Sequence, residues 1–235
     1  MRYVVSDIHG NYDLLVKLLK KINFAEDDTL FVLGDVIDKG KDVQGLLNLL
    51  FGKLRDNAVV LVGNHEYELI KLVTDLIVKD AEDDVILSEC KKFLGVENLT
   101  LQDVDDIMNM PFYYEEDDFV LVHAGIPFDI KGNMIPLEQA DVVDLVYDRR
   151  FKNANFLPPN IKCVIFGHTP TFFIDGGKGK ILKYQKANTK GNSLSDYYKI
   201  QVDTGNYLTG ILGCLRLDDM QEFYVSEFND WFLRK

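Results

Sequence analysis

The sequence lacks the features that mark secreted, disulfide-stabilised or membrane-spanning proteins. Its 235 residues include only three cysteines, and these match neither a disulfide framework nor a zinc-binding spacing: Cys90, Cys163 and Cys214. No run of eighteen apolar residues is present, although a membrane-spanning helix needs about that length. The first residues lead directly into a polar motif, which leaves no room for a cleavable signal peptide. These absences predict a cytoplasmic protein with reduced, structural cysteines and no membrane partner.

Clustered positive charge is also lacking. The chain has 26 Lys and Arg residues against 38 Asp and Glu residues, so its formal net charge is −12. Proteins that bind the backbone of nucleic acids neutralise many phosphates with clustered Lys and Arg, and this chain does not fit that class. We therefore expect no nucleic-acid partner. Bound divalent cations would offset part of the negative charge.

Histidine is scarce, but its placement is informative. Each of the four histidines follows an apolar run and stands beside Gly and other metal-ligand residue types, in SDIHGN (Ser6 to Asn11), VGNHE (Val62 to Glu66), VHAG (Val122 to Gly125) and FGHT (Phe166 to Thr169). A fifth stretch, TLFVLGDVIDKG (Thr29 to Gly40), ends an apolar run in Asp35, Asp38 and Lys39. Asp and Gly after a single strand are ordinary turn residues, but the repetition indicates one shared site.

The first part of the chain predicts parallel βαβ units. Short apolar strands at 2–6, 30–33 and 57–62 alternate with two amphipathic helices, and Asn11 is the expected N-cap of the first helix. In such sheets ligands collect outside the carboxyl ends of the strands. The DIH, GDVID and GNHE motifs all lie at such ends.

The rest of the chain predicts a more varied structure. Residues 66–110 read as helices that form a cap or an insertion, and residues 111–124 as a hairpin. A helix is expected from Leu137 to Tyr147, a chain break at Pro158 and Pro159, a strand at 162–167, a loop or ribbon of undetermined role at 171–196, and an antiparallel meander from Tyr197. We predict a single α/β domain over residues 1–235 with a mixed arrangement of two sheets.

The candidate ligands at strand ends are too many for one metal ion and suit two: Asp7, His9, Asp35, Asn64, His123 and His168. A carboxylate can bridge two ions through its two oxygens. Asp35 follows the middle one of the three parallel strands and is the natural bridge. Mixed carboxylate, imidazole and amide ligation is typical of manganese, iron or zinc. We expect two divalent ions, manganese first, with iron or zinc as alternatives.

The motifs resemble those of the calcineurin-like metallophosphoesterases, and specifically the phosphoprotein phosphatase family of serine/threonine phosphatases with its bacterial and phage members. That family reads GDxHG, GDxVDRG, GNHE, HGG and GH, and this chain reads SDIHG, GDVIDKG, GNHE, HAG and GH, with a further match at DTG (Asp203 to Gly205). The resemblance implies two mixed β-sheets packed as a sandwich flanked by helices. It also implies one metal on Asp7, His9 and Asp35, and a second on Asp35, Asn64, His123 and His168.

The resemblance further implies that His65, supported by Asp38, protonates the leaving group and that Arg149 binds phosphate. The chemistry of the residues agrees, because two metals can share a hydroxide of lowered pKa while a neighbouring imidazolium donates a proton. Lys39 replaces an Arg of the family pattern and supplies a point charge instead of two parallel hydrogen bonds. Arg150 is an alternative to Arg149.

These features predict a phosphomonoester hydrolase, first a serine/threonine protein phosphatase acting on a phosphorylated protein or peptide. The alternative is a symmetrical diadenosine tetraphosphate hydrolase, which would take a small phosphoester substrate. That group resembles GNHD and lacks the second Asp of GDxxD, so Glu66 and Asp38 favour the phosphatase. A non-catalytic metal-binding adaptor is a remote alternative, since no ligand is missing.

Overall fold

The computed structural model describes residues 1–154, 161–174 and 176–228. Within these ranges the strands are β1 (Arg2–Val5), β2 (Thr29–Val32), β3 (Ala58–Val60), β4 (Tyr113–Glu115), β5 (Phe119–Val122), β6 (Cys163–Phe166), β7 (Leu182–Gln185), β8 (Tyr197–Gln201), β9 (Ile211–Arg216) and β10 (Glu222–Ser226). The helices are α1 (Tyr12–Lys21), α2 (Val43–Leu47), α3 (Asn64–Val78), α4 (Asp83–Leu94), α5 (Leu101–Met108), α6 (Val142–Tyr147) and α7 (Asn206–Thr209). The break predicted at Pro158 and Pro159 lies outside the described residues.

The first sheet has the strand order β10-β9-β1-β2-β3. Strands β1, β2 and β3 are parallel, which confirms the predicted βαβ units, and β9 pairs antiparallel with both β1 and β10. Helix α1 crosses from β1 to β2, while α2, continued by a π-helical stretch at Asn48–Lys53, crosses from β2 to β3. The last two strands of the chain therefore complete the sheet that the first strand begins.

The second sheet has the order β4-β5-β6-β8-β7, and its central strands β5, β6 and β8 are parallel. The hairpin predicted at residues 111–124 is present as β4 and β5. The antiparallel meander predicted from Tyr197 is wrong for β8, which pairs parallel with β6 in the second sheet, whereas β9 and β10 do form an antiparallel pair, in the first sheet. Parallel partners far apart in sequence leave no local signal, since each strand pairs through a connection tens of residues long. The two-sheet α/β class itself is confirmed.

The two sheets pack face to face. Val4, Phe31 and Leu33 of the first sheet contact Phe119, Leu121 and Ile165 of the second in one buried cluster. Alternate residues of β1, Tyr3 and Val5, lie in a second cluster with α1. Because successive side chains of a strand point to opposite faces, both faces of β1 are buried. The structure is thus the predicted sandwich of two mixed sheets with flanking helices.

Several local predictions need adjustment. The helix expected from Leu137 to Tyr147 is a 3-10 turn at Leu137–Gln139 followed by α6, whose N-cap is Asp141. The loop or ribbon expected at 171–196 contains the edge strand β7. The helices predicted between 66 and 110 are present as α3, α4 and α5. Among the described residues, no helix has both the length and the apolar character required to cross a bilayer.

Asn11 precedes α1 as expected, but its side chain makes no capping hydrogen bond. It donates instead to the side chain of Asn206, which lies almost two hundred residues later at the start of α7. The Asn11 side chain therefore makes a tertiary hydrogen bond in place of the local capping hydrogen bond.

Candidate active site

The carboxyl ends of the parallel strands of both sheets meet along one edge of the sandwich. Strands β1, β2 and β3 lead to Asp7, Asp35 and Asn64, and strands β5, β6 and β8 lead to His123, His168 and Asp203. The loops are joined by backbone hydrogen bonds, from Asp7 N to Gly34 O at 3.1 Å and from Gly167 N to His123 O at 2.8 Å. A cleft of about 330 Å³ opens between them.

The loops after β1 and β2 adopt a rare backbone conformation. Positive φ angles occur at Asp7 (52°), His9 (49°), Asp35 (53°), Asp38 (70°) and Lys39 (66°). Residues other than Gly seldom adopt this region, and when they do they concentrate at functional sites whose surroundings enforce the strain. The loop conformations therefore depend on contacts from outside each loop.

Glu66 supplies such contacts and was missed as a site residue by the sequence analysis. Its buried carboxylate accepts hydrogen bonds from the backbone N–H groups of Asp35, Val36, Ile37 and Gly63 at 2.8–3.0 Å. It thereby joins the loop after β2 to the start of α3. The available signal was its position three residues after Gly63, where a carboxylate commonly closes a helix N-terminus.

Asp35 stands between two groups of ligand atoms. Its Oδ2 lies 3.6 Å from His9 Nε2, and its Oδ1 lies 3.5 Å from His123 Nε2. Gly63 permits this position, because a β-carbon there would collide with the Asp35 carboxylate. Each oxygen of Asp35 therefore faces a different group.

The second group is formed by Asn64, His123 and His168. Asn64 Oδ1 lies 3.2 Å from His123 Nε2 and 2.9 Å from His168 Nδ1, and the two imidazole nitrogens are 3.1 Å apart. Ligand atoms that share one ion at bonds of about 2.0–2.2 Å are separated by similar distances. In the described part of the chain, two such sets of His and carboxylate ligands converge: His9, Asp35 and His65, and Asp35, His123 and His168.

The imidazole rings are oriented by contacts on their far sides. His9 Nδ1 donates to Ile37 O at 3.2 Å and His123 Nδ1 donates to Leu33 O at 2.7 Å, so Nε2 of each ring is the nitrogen that carries the lone pair and faces the cleft. Backbone carbonyls commonly fix metal-ligating histidines in this way. His168 Nε2 is buried without a hydrogen-bond partner among the described residues.

The protonation states also suit metal binding. Burial lowers the pKa of His9 to about 4 and that of His168 to about 3, so both rings are neutral near pH 7. Burial and then the charge of Asp7 raise the pKa values of Asp35 and Asp203 well above the usual range. The site is therefore short of positive charge, which two divalent cations would supply. Neutral imidazoles, an amide oxygen and carboxylates together fit ions such as manganese, iron or zinc.

Asp7 lies in the same cleft but, among the described residues, belongs to neither convergent set. Its Oδ2 accepts hydrogen bonds from Ser6 Oγ and from the backbone N–H of His168. Burial alone would raise its pKa, but the interaction with the neighbouring imidazoles of His123 and His9 and these hydrogen bonds together outweigh burial and lower it. The carboxylate is therefore ionised beside His9 while it also ties the first sheet to the second.

His65 and Asp38 form a hydrogen-bonded pair at the mouth of the cleft. His65 Nδ1 lies 2.8 Å from Asp38 Oδ2, and its Nε2 lies 3.8 Å from Asp35 Oδ2. Burial and then the Lys39 charge lower the pKa of His65, while Asp38 opposes this shift. The Lys39 ammonium lies 3.0 Å from His9 Nε2, which brings a cation into the cleft.

The two arginines proposed for phosphate binding differ in environment. Arg149 lines the cleft together with His65 and Lys39. Arg150 is 82 % exposed and pairs with Asp148 at 2.9 Å and Asp144 at 3.2 Å. This arrangement favours Arg149 over Arg150.

Comparisons with known proteins agree with this picture. The sequence profile described as calcineurin-like phosphoesterase matches residues 2–180. Symmetrical bis(5′-nucleosyl)-tetraphosphatases of Vibrio campbellii and Vibrio parahaemolyticus are 37 % identical over 132 residues and 33 % over 129. Each match covers 53 % of this chain and 44 % of the relative, so the chain spans less than half the length of these relatives.

Similar solved structures support the fold alone. A candidate diadenosine tetraphosphatase has a TM-score of 0.65 at 19 % identity, covering 97 % of this chain and 94 % of the other. A protein serine/threonine phosphatase from Saccharomyces cerevisiae has a TM-score of 0.51 at 15 % identity, covering 96 % of this chain and 78 % of the other.

Proposed function

We propose that this chain, which belongs to the calcineurin-like phosphoesterase family, is a two-metal hydrolase whose substrate is a symmetrical dinucleoside tetraphosphate. The observation that carries the two-metal site is Asp35, because its two oxygens face two different sets of ligand atoms. Two bound divalent ions would supply a hydroxide of lowered pKa and would hold the phosphate oxygens. Manganese remains the first expectation, with iron or zinc as alternatives.

The ligands assigned to the two ions remain those implied by the motifs. His9, Asp35 and Asp7 would hold the first ion, and Asp35, Asn64, His123 and His168 would hold the second. The position of Asp7 outside the convergent sets makes it the weakest member. Lys39 now contacts His9 Nε2, and a metal ion at that nitrogen would compete with the ammonium, since both are cations.

His65 is proposed to donate a proton to the leaving oxygen, with Asp38 orienting the ring and stabilising its imidazolium form. Lys39 and Arg149 are proposed to neutralise the phosphate oxygens, since both line the same cleft as His65. A bound phosphate adds negative charge near His65 and so offsets the depressing effect of Lys39 on its pKa.

The choice of substrate rests on the curated relatives. They are named as symmetrical tetraphosphatases, at 33–37 % identity in the two Vibrio proteins. The motif-based ranking placed a serine/threonine protein phosphatase first and the tetraphosphatase second, and the relatives support the reverse order. Attack of water on phosphorus is common to both, but the phosphatase breaks a phosphomonoester bond and the tetraphosphatase breaks the central phosphoanhydride bond.

The second candidate, dephosphorylation of phosphoserine or phosphothreonine, is favoured by the His65–Asp38 contact of 2.8 Å. An alkoxide leaving group is a strong base and requires protonation, whereas a nucleoside diphosphate leaves readily without it. A proton donor that is oriented by a carboxylate therefore accelerates the hydrolysis of an aliphatic phosphomonoester more than that of a tetraphosphate.

The two candidates are separated by products. The purified protein with Mn²⁺ would be given diadenosine tetraphosphate or a phosphoserine peptide, and nucleotides and phosphate would be quantified by chromatography. Adenosine diphosphate as the single nucleotide product, with a kcat/KM well above that for the peptide, supports the tetraphosphatase. The opposite preference supports the phosphatase. Two bound ions with neither activity would support the adaptor.

A further inference from the structure

Three large apolar side chains are among the residues that line the polar cleft. They are Phe173, Tyr207 and Leu208, which we call the shelf, and these side chains are 66 %, 55 % and 55 % exposed. Large apolar side chains that share one exposed surface beside a charged pocket mark a ligand-binding region more often than chance exposure. None of the proposed catalytic steps uses these residues.

The shelf lies directly beside the proposed metal ligands. The Tyr207 ring centroid is 6.4 Å from that of His9, with the ring planes at 69°. The Lys39 ammonium is 5.8 Å from the centroid of the same tyrosine ring. A molecule whose phosphates contact Lys39 would therefore lie within reach of the face or edge of Tyr207.

The position of Tyr207 is fixed by its neighbour. Asn206 is buried, and its side-chain amide donates to the backbone oxygen of Asp7 and meets the side chain of Asn11. Gly205 and Gly210, with φ angles of 71° and 66°, bound the single helical turn of α7. Helix α7, which carries Tyr207 and Leu208 of the shelf, is thus attached to the loop that carries Asp7 and His9, so the distance of Tyr207 from the reaction centre is set by the fold.

We propose that the shelf binds a nucleobase of the substrate by stacking, with Tyr207 as the principal contact. The inference rests on the proposed nucleotide substrate. A cleft that combines flat, exposed aromatic rings with the cations Lys39 and Arg149 matches a molecule with a planar base at one end and phosphates at the other. Side chains of a phosphopeptide are the competing occupant, and the experiment below distinguishes the two.

The test measures binding with a matched pair of non-hydrolysable probes. Adenosine 5′-(α,β-methylene)diphosphate carries the base, and ribose 5-(α,β-methylene)diphosphate carries the same sugar and the same bridged phosphorus groups without it. Each is assayed as a competitive inhibitor of p-nitrophenyl phosphate hydrolysis by the Mn²⁺-loaded protein. We expect the native protein to bind the nucleoside probe about tenfold more tightly than the base-free probe, the order expected for one stack.

Tyr207→Ala should raise the inhibition constant of the nucleoside probe about tenfold and leave that of the base-free probe unchanged. Tyr207→Trp should restore the tighter binding of the nucleoside probe, because it keeps an aromatic ring at this position. Phe93→Ala, which removes an exposed aromatic ring on α4, is the matched control and should change neither constant. If Tyr207→Ala weakened the binding of both probes equally, Tyr207 would belong to the phosphate site and the proposal would be overturned. No preference for the nucleoside probe in the native protein would overturn it as well.

The experiments distinguish an error in the proposed base-binding role of the shelf from an error in the proposed tetraphosphatase activity. If diadenosine tetraphosphate is not cleaved but the nucleoside probe still depends on Tyr207, the base site is retained and the substrate is another nucleotide. If diadenosine tetraphosphate is cleaved with the same KM by native protein and Tyr207→Ala, the activity is retained and the shelf is rejected.

Discussion

The loops that follow the two sheets build the site in different ways. After the first sheet, Asp7, His9, Asp35, Asp38 and Lys39 all have positive φ, whereas His168 is the one such residue among the described ligand candidates after the second sheet. The first sheet contributes most of the carboxylates, and the second contributes His123 and His168. We call the residues after the first sheet the first half of the site and those after the second sheet the second half. The first half is charged and strained, and the second consists mainly of buried imidazoles.

The two halves also differ in what supports them. Glu66 holds the strained turn after β2 through hydrogen bonds to backbone N–H groups. Backbone hydrogen bonds extend both sheets toward the ligands, from Asp7 N to Gly34 O in the first and from Gly167 N to His123 O in the second. The difference teaches that the first half has, in addition, a dedicated buried carboxylate that holds the turn after β2.

Removing the residue shared by both halves should have the largest effect. Asp35→Asn keeps the shape but loses the charge that faces His9 and His123, so we expect loss of both metals and of nearly all activity. Metal content per chain, measured by elemental analysis, checks this. Asp75→Asn, at an exposed position of α3, is the control and should retain both ions. Two tightly bound ions in Asp35→Asn would contradict its bridging role.

The second largest effect is expected at His65, the proposed proton donor. His65→Asn should keep both metals and slow hydrolysis of alkyl phosphates by about 10²–10⁴-fold, because the leaving alkoxide then departs without a proton. With p-nitrophenyl phosphate, whose leaving group hardly needs protonation, the deficit should shrink. Steady-state kinetics on the two substrates give the ratio, and equal losses on both would remove His65 from the donor role.

The contribution of Glu66 to the conformation of the first half can be tested by measuring the free energy of unfolding. Glu66→Gln places an amide N–H₂ against backbone N–H donors that lose their acceptor, which we expect to cost about 3 kcal/mol of unfolding free energy. Urea denaturation of the metal-free protein measures it. Glu89→Gln removes an exposed ion pair with Lys92 and should cost under about 1 kcal/mol. Equal stabilities of the two variants would mean that the first half holds its conformation without Glu66.

The smallest effect is expected at Lys39. Lys39→Arg should preserve or improve kcat/KM, because a guanidinium can make two parallel hydrogen bonds to phosphate, and Lys39→Ala should reduce it by about tenfold. A change in kcat identifies an interaction that strengthens in the transition state, and a change in KM alone identifies uniform binding. Lys41→Ala, two residues away and exposed, is the control. Unchanged kinetics of Lys39→Ala would leave Arg149 as the phosphate-binding cation.

The same contrast explains how much could be predicted. The apolar runs that end in GDVID or GNHE carry both the strand and its ligand in a few consecutive residues, so the parallel strands of the first half and the grouping of candidate ligands were accessible from sequence. The pairing of β5 with β6 and of β6 with β8 was not, because it depends on contacts between distant segments.

The supporting contacts were the least accessible. From the sequence, Glu66 could be identified only as part of the GNHE motif. Its hydrogen bonds with four backbone N–H groups could not be predicted, because they form only when the turn after β2 folds against α3. Helix α7 is a single turn without periodicity, so the position of Tyr207 beside His9 could not be anticipated. The choice between Arg149 and Arg150 depends on Asp144 and Asp148, which pair with one arginine and not the other.

The antiparallel pairing of β1 with β9 has a consequence for the chain as it leaves the ribosome. Strand β1 is complete at Val5, but β9 begins at Ile211, about 200 residues later, which corresponds to roughly 10–40 s of synthesis at typical rates. A nascent chain in which β1 has already paired with β2 has no partner for the other edge of β1 until β9 is made. Because open edges of this kind can recruit strands of other chains, we expect the synthesis of β9 and β10 to end the period in which such a chain is open to aggregation.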